Sequence, residues 1–283
     1  IQIGTTNDGG NAHLPDRVDV VVTELVDSGL LGEHIVAVLR DARSRLLRPG
    51  GTVIPHSADV YGVAVSSDEV ARRQTPVSPS QGEWNVEAHR QLMAGPGLIV
   101  DEEYTCESLA RLVCQKLTHS FLVCRAELCG PGGLCVTPSV HSPITAISDG
   151  TVDAVCLWFT LYLEDPLHNA CLETVSVNTS PERDGCGWDQ AVVFTRLHSQ
   201  GIPTSINIVN PVYVHAGDEL PIGFSFTDDR IHVTVSPQDS YPIDSSRKLL
   251  HLGEMDLAAI NDEEVTDKYL CSLQAAVSAC GVR

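Results

Sequence analysis

The chain has 283 residues, enough for two compact domains and a sizeable core. Hydrophobic residues make up 43% and charged residues 19%, which excludes a disordered chain. With 37 Asp and Glu against 18 Lys and Arg, the formal charge is −19. Such a surface disfavours direct binding of nucleic-acid phosphate and suits a basic protein or peptide partner; the plain alternative is acidity kept for solubility.

No apolar run approaches the roughly 20 residues of a membrane span, so no membrane partner is expected. Residues 1–10 are polar and Gly-rich, unlike a signal peptide, and the first residue is Ile, so the chain reads as a fragment or a processed product. Ten cysteines carry no CxxC pair, which reads as reduced, mostly buried thiols in an intracellular protein. Cys124, Cys129 and Cys135 lack metal-ligand spacing, and no metal is expected.

Along the chain, "VDVVV" (residues 18–22) is a near-continuous β-branched run that predicts a buried parallel strand. "TELVDSGLLGE" (23–33) follows as a loop with three carboxylates, Glu24, Asp27 and Glu33. "HIVAVLRDARSRLL" (34–47) places Ile35, Val38, Leu39, Ala42 and Leu46 on one helical face. "RPGG" (48–51) stops that helix and "TVI" begins another strand, completing a βαβ unit. After Pro55 the texture changes. "ADVYGVAV", "SFLVCRAELC", "AVCLWFTLYL", "QAVVFTRL", "PVYVHAG", "ELPIGFSF" and "IHVTVS" are strand-like, and "CGPGG", "SDGT", "AGDE" and "TDDR" divide them. That spacing predicts an antiparallel barrel or sandwich. Between Ser66 and Leu117, Pro-rich and helix-like stretches around "SPSQGEWNVEAHRQLMAGPG" read as an insertion, and the tail from Met255 reads as one or two helices.

The acidic loop lies where chemistry is expected. In doubly wound α/β sheets, ligands sit beyond the carboxyl ends of the strands. Glu24 lies just past a strand and Glu33 at the start of the next helix, so the loop between them can turn both carboxylates into one pocket. Two close carboxylates repel unless a cation sits between them. A planar guanidinium is the natural cation, because its forked donors match carboxylates. The alternative is ordinary: a strand-end charge at Glu24 and a helix N-terminal charge at Glu33. Glycosidases also use paired acids, but their clefts are rich in aromatics, which are only 5% here.

The block from Val18 to Val65 resembles the central region of protein arginine methyltransferases. That family has a strand, a double-glutamate loop of this spacing, a helix, L-x-P-G-G and P-x-x-A-x-x-Y. The counterparts here are Glu24 and Glu33, Leu47 to Gly51, and Pro55 to Tyr61. "TELVDSGLLGE" is nearer the monomethylating (type III) branch, because Leu25 and Val26 stand where the asymmetric dimethylating branch usually has Trp and Met. Downstream, "TSPERDGCGWDQAVVF" resembles the family's Thr-His-Trp loop, with Trp188 and Gln190 matching and Cys186 and Gly187 in place of Thr and His.

The resemblance implies a fold and a role. Residues 1–54 would be the C-terminal part of a Rossmann-like methyltransferase domain. Residues 55–283 would form an antiparallel β-barrel substrate domain with a helical insertion, its dimerisation arm near 80–103. S-adenosyl-L-methionine would be the methyl donor, and Ile35 would pack on it. Glu24 and Glu33 would hold a substrate arginine, giving mainly monomethylarginine. Asp27 would attract a second basic residue, or else be a solvated turn Asp, and Gly187, Trp188 and Gln190 would line the substrate side. His34 would relay a proton or simply start the helix at the surface. Pro55 would follow a cis peptide. Substrates would be Arg-rich proteins such as histones or RNA-binding proteins, acted on by a homodimer in the cytoplasm and also the nucleus. One departure stands out: no GxGxxG-type motif is present, and "GTTNDGGN" does not lie between a predicted strand and helix. Two rival readings therefore stay open. A non-catalytic methyltransferase-like partner subunit fits that absence but not the paired glutamates. An acidic β-barrel module for basic peptides fits the charge but not the combined motifs.

Overall fold

A computed structural model describes residues 16–73, 104–129, 135–139, 143–165, 175–183, 186–195 and 212–235, together with the backbone of 98–99 and 250–251. The expected dimerisation arm near 80–103, the tail helices and the "GTTNDGGN" stretch lie outside the described residues, apart from that short backbone piece.

The elements run β1 (Val18–Val22), α1 (Ile35–Arg45), β2 (Leu47–Ile54), β3 (Ser57–Ser66), α2 (Asp68–Arg73), β4 (Leu98–Ile99), β5 (Tyr104–Glu107), β6 (Gln115–Lys116) and β7 (Phe121–Glu127). They continue with β8 (Cys135–Pro138), β9 (Gly150–Thr151), β10 (Ala154–Tyr162), β11 (Ser176–Asn178), β12 (Gln190–Phe194), β13 (Tyr213–Val214), β14 (Ile222–Phe226), β15 (Ile231–Val235) and β16 (Leu250–His251).

The βαβ unit forms as its pattern predicts, with β1 parallel to β2. Ile35, Val36, Leu39 and Ala42 of α1 are buried. Val38, placed on the core face by the sequence reading, is exposed, and Val36 takes the inner position. The cause is rotational: the buried face runs through 35, 36, 39 and 42, so it is centred toward Val36 rather than Val38. The last turn is closed from outside the helix. Arg17 Nη2 donates to the Ser44 carbonyl at 2.7 Å and Nη1 to the Leu47 carbonyl at 3.0 Å, covering carbonyls that a helix end leaves without partners.

Two further expectations are corrected here. The "RPGG" stretch does not separate helix from strand, because β2 already begins at Leu47. Val18 pairs with Leu47 and Val20 with Thr52, so Arg48 to Gly51 bulge out opposite Asp19 alone. Gly50 takes φ +78° in that bulge, a conformation glycine adopts without steric cost. Nor is β1 a fully buried strand: Val20 is 47% and Val22 72% exposed. Among the described residues β1 pairs only with β2, so its second edge and outer face are not covered as the central strand of a parallel sheet would be.

The second part is an antiparallel sheet of eight strands in the order β5-β12-β10-β3-β7-β8, with β11 added to β10 and β6 to β3. Among the described residues this order runs open from β5 to β8. Its central strands are covered on both faces, which explains their unbroken apolar sequences. Ala58, Val60 and Ala64 of β3 point into the core shared with α1, whereas Val63 and Val65 point to a second core with Trp158, Val192 and Phe194. Period-two alternation thus sorts one strand between two apolar layers.

The first core joins the two parts. Leu30, Leu31, Ile35, Leu39 and Val53 pack together with Val123, Leu128, Phe159 and Leu161. Polar contacts cross the same boundary: Arg43 Nη2 donates to the Leu128 carbonyl at 2.6 Å, and the Val53 amide to Cys129 Sγ at 3.2 Å. The Ile54–Pro55 peptide at the crossing is cis, as expected. The cysteine reading needs revision. All seven described cysteines are free, but only Cys124 and Cys156 are buried, while Cys106 and Cys135 are exposed. Cys106 and Cys135 lie on strands at the sheet's two edges, where side chains meet solvent.

Candidate functional site

The loop from Thr23 to His34 leaves the carboxyl end of β1 and enters α1. Its first residue is fixed by sheet hydrogen bonding, the Thr23 amide donating to the Ile54 carbonyl at 2.9 Å. Its apolar residues point inward: Val26, Leu30 and Leu31 are buried in the first core. Glu24 and Glu33 are both exposed, one near each end of the loop. The sequence therefore builds an anchor from leucines and valine and leaves the two glutamates outward.

Two non-glycine residues of this loop have left-handed backbones, Leu30 at φ 72° and His34 at φ 61°. For a bulky residue such as leucine this is a genuine outlier, costing on the order of 1–3 kcal/mol, and it persists only where packing holds it. Burial of the Leu30 side chain provides that hold. His34 stands at the N-cap of α1, exposed and without a side-chain capping bond, which matches its helix-start reading. Strain of this kind gathers at functional sites.

Three side chains reach the loop from elsewhere or fix it internally. Trp188 Nε1–H donates to the Val26 carbonyl at 3.0 Å, and its ring meets Phe159 edge-on with centroids 6.1 Å apart. Asp27 is tied down inside the loop: its Oδ1 accepts the Gly32 amide at 3.1 Å, and its Oδ2 accepts the Tyr104 hydroxyl. Asp27 thus has a donor on each carboxylate oxygen and belongs to the hydrogen bonding that shapes the loop. The Tyr104 ring lies against glycines; a Cβ at Gly29 would sit 2.9 Å from it, and one at Gly32 would sit 3.0 Å from its hydroxyl. Burial, then the Asp27 hydrogen bond and charge, push the Tyr104 phenol well above its ordinary value, so it stays a donor at neutral pH.

The remaining expected residues separate. Gly187 is exposed, and a Cβ added there would meet nothing within 4 Å. Gln190 is 5% exposed and works as a strut: its Oε1 accepts the Leu109 amide at 2.7 Å and its Nε2 donates to the Thr179 carbonyl at 2.9 Å. Both ends of its amide are thus held by backbone groups of neighbouring segments. Ile35 is 0% exposed and belongs to the first core. Among the described residues, no group of three or more His, Cys, Asp or Glu could hold a metal ion.

Sequence reasoning missed Tyr104, because it opens a strand inside the stretch read as an insertion. The available signal was "YTCE", a short β-prone run with alternating apolar positions just before "SLARL". Arg17 carried no signal at all, because its partners are backbone carbonyls 26 to 30 positions away.

No family model matches the chain. Curated relatives do. Protein arginine N-methyltransferase 9 of Mus musculus is 30% identical over 202 residues, covering 64% of this chain and 23% of the relative. The protein of the same name from Xenopus laevis is 30% identical over 244 residues, covering 79% of this chain and 27% of the relative. An arginine N(omega)-methyltransferase of Streptomyces achromogenes subsp. streptozoticus is 26% identical over 226 residues, covering 77% and 52%. The chain thus spans between about a quarter and a half of the length of these relatives. These relatives, from vertebrates and a bacterium, are all named for arginine methylation: the chain belongs to the protein arginine N-methyltransferase family.

Proposed function

We propose that this chain supplies the arginine-gripping part of an S-adenosylmethionine-dependent protein arginine N-methyltransferase, with Glu24 and Glu33 as the grip. The observation that carries the reading is the meeting of two distant segments: Trp188 binds the backbone of the very loop that bears both glutamates. A substrate arginine beside Trp188 would present its guanidinium to the exposed carboxylates.

The chemistry asked of these residues is electrostatic. A guanidinium is planar, always charged and carries five donors in a fixed fork. Charge-assisted bonds from two carboxylates orient that plane and draw its positive charge toward the bonded nitrogens. The remaining nitrogen keeps electron density for attack on an activated methyl group. Holding the reactants in line and aiming fixed charge at them are the two effects this requires. Ile35, the expected contact with the donor, lies enclosed in the first core. The reading therefore assigns roles only on the guanidinium side.

The product is read as monomethylarginine, from the wording of the Glu24–Glu33 loop and the length of the Glu33 side chain on one wall. Arg-rich proteins or peptides are the substrate class, in keeping with the −19 formal charge. The direct test incubates the full-length protein with isotopically labelled S-adenosylmethionine and an Arg- and Gly-rich peptide. Labelled monomethylarginine is the expected product. A protein that binds the peptide without labelling it would instead be a binding module or a non-catalytic subunit.

A further inference from the structure

We propose that Tyr104 is a positioning residue for the glutamate loop: it fixes the span between Glu24 and Glu33 through Asp27 and through Gly29, which lies against its ring. This inference rests on the arginine-methylation reading and assigns to the antiparallel sheet a task beyond carrying substrate.

The geometry is specific. Tyr104 opens β5, the edge strand that pairs with β12 through Tyr104↔Val193 and Gln190↔Glu107. The same β12 follows directly on the Trp188 segment. Two aromatic side chains, one from β5 and one from the segment just before its neighbour β12, therefore contact the loop, Tyr104 at Asp27 and Trp188 at Val26. Asp27 passes the constraint on, because its other oxygen holds the Gly32 amide next to Glu33. The loop also closes on itself through the Leu30 amide to the Asp27 carbonyl at 2.9 Å and the His34 amide to the Leu31 carbonyl at 3.0 Å. Gly29 leaves the room that the Tyr104 ring occupies, and a larger residue at Gly32 would meet the Asp27 carboxylate first and then the Tyr104 hydroxyl. Removing the hydroxyl leaves Asp27 Oδ2 without its donor and frees the turn that sets where Glu33 points. A 1 Å error in such a constellation is enough to cost activity.

The test uses the full-length protein with Tyr104→Phe, Asp27→Asn and the double variant. Tyr162→Phe is the control, since it also removes a tyrosine–aspartate bond but one on the far side of β3, to Asp59. Hydrogen exchange at the Leu30, Gly32 and His34 amides should accelerate about tenfold or more in Tyr104→Phe and stay unchanged in Tyr162→Phe. Methylation of an Arg- and Gly-rich peptide should show KM raised about tenfold, with affinity for S-adenosylmethionine unchanged. Adding Asp27→Asn to Tyr104→Phe should cost little more, because the two act as one unit. Unchanged loop exchange, or faster exchange with unchanged peptide KM, overturns the positioning role while leaving the methylation reading intact. An unmodified protein that methylates no arginine overturns both.

Discussion

Trp188 lies 162 positions beyond Val26, yet its indole N–H meets the Val26 carbonyl at 3.0 Å. The bond joins the segment before β12 to the loop bearing Glu24 and Glu33, and it makes the site a product of both parts of the chain. Replacing Trp188 with Phe keeps an aromatic ring beside Phe159 but leaves the Val26 carbonyl without its donor. An unpaired group of this kind costs about 1–3 kcal/mol where it is buried, and less where water replaces the donor. The expected outcome is a lower melting temperature together with weaker peptide turnover, read by calorimetry and by methylation kinetics.

Two substitutions separate stability from product choice. A side chain at Gly187 has open space, so Gly187→Ala should change stability by less than about 0.5 kcal/mol, as at other unconstrained surface positions. Glu33→Asp retracts one wall by a methylene and should let dimethylarginine accumulate beside the monomethyl product. Calorimetry reads the first variant and mass spectrometry of peptides at long reaction times the second, and abundant dimethylarginine from the unmodified protein would contradict the monomethyl assignment.

Alkaline pH bears on the tether. Burial and then Asp27 raise the Tyr104 phenol, and burial and then Asp59 push Tyr162 up to about 12. A phenol raised on folding favours the protonated native state. The stability it contributes is complete below the unfolded value of about 10 and is lost as pH rises through the folded value. Unfolding midpoints should therefore fall above about pH 10, and near-ultraviolet phenolate absorbance should appear late for these two groups. Tyr104→Phe should lessen that alkaline loss, and an unchanged alkaline limb would count against the raised phenol.

Thiol chemistry gives an independent check of the fold. Burial pushes Cys124 up to about 12 and raises Cys156 as well, while Cys106 and Cys135 are exposed. Alkylation at mild pH, mapped by mass spectrometry, should label Cys106 and Cys135 well before Cys124 and Cys156. Early labelling of Cys124 would mean that the first core is not packed as described.

The βαβ unit and the strands at 57–66, 121–127, 154–162 and 190–194 were legible because hydrophobic periodicity is a local signal. The helix face was misread at Val38, where Val36 takes the inner position instead, since periodicity alone does not say which side of a stripe meets the sheet. The roles of Gln190 and Asp27 were not legible. Their partners, Leu109, Thr179 and Tyr104, lie 11 to 81 positions away, and only the sheet pairing brings them within reach. The paired glutamates were named from their spacing and Trp188 from resemblance to the family's Thr-His-Trp loop, but that Trp188 meets the glutamate loop at the Val26 carbonyl required the three-dimensional register.

The most direct measurement is label transfer from S-adenosylmethionine to an arginine peptide by the full-length protein and its Glu24→Gln and Glu33→Gln variants. Each substitution keeps the side chain's shape and removes its charge, and both positions are exposed, so folding should be preserved. Losing one preorganised electrostatic partner typically costs about 10²–10³ in rate. The account predicts losses of that size in both variants, with donor affinity and melting temperature close to those of the unmodified protein. Near-unmodified methylation in both variants would contradict the arginine grip.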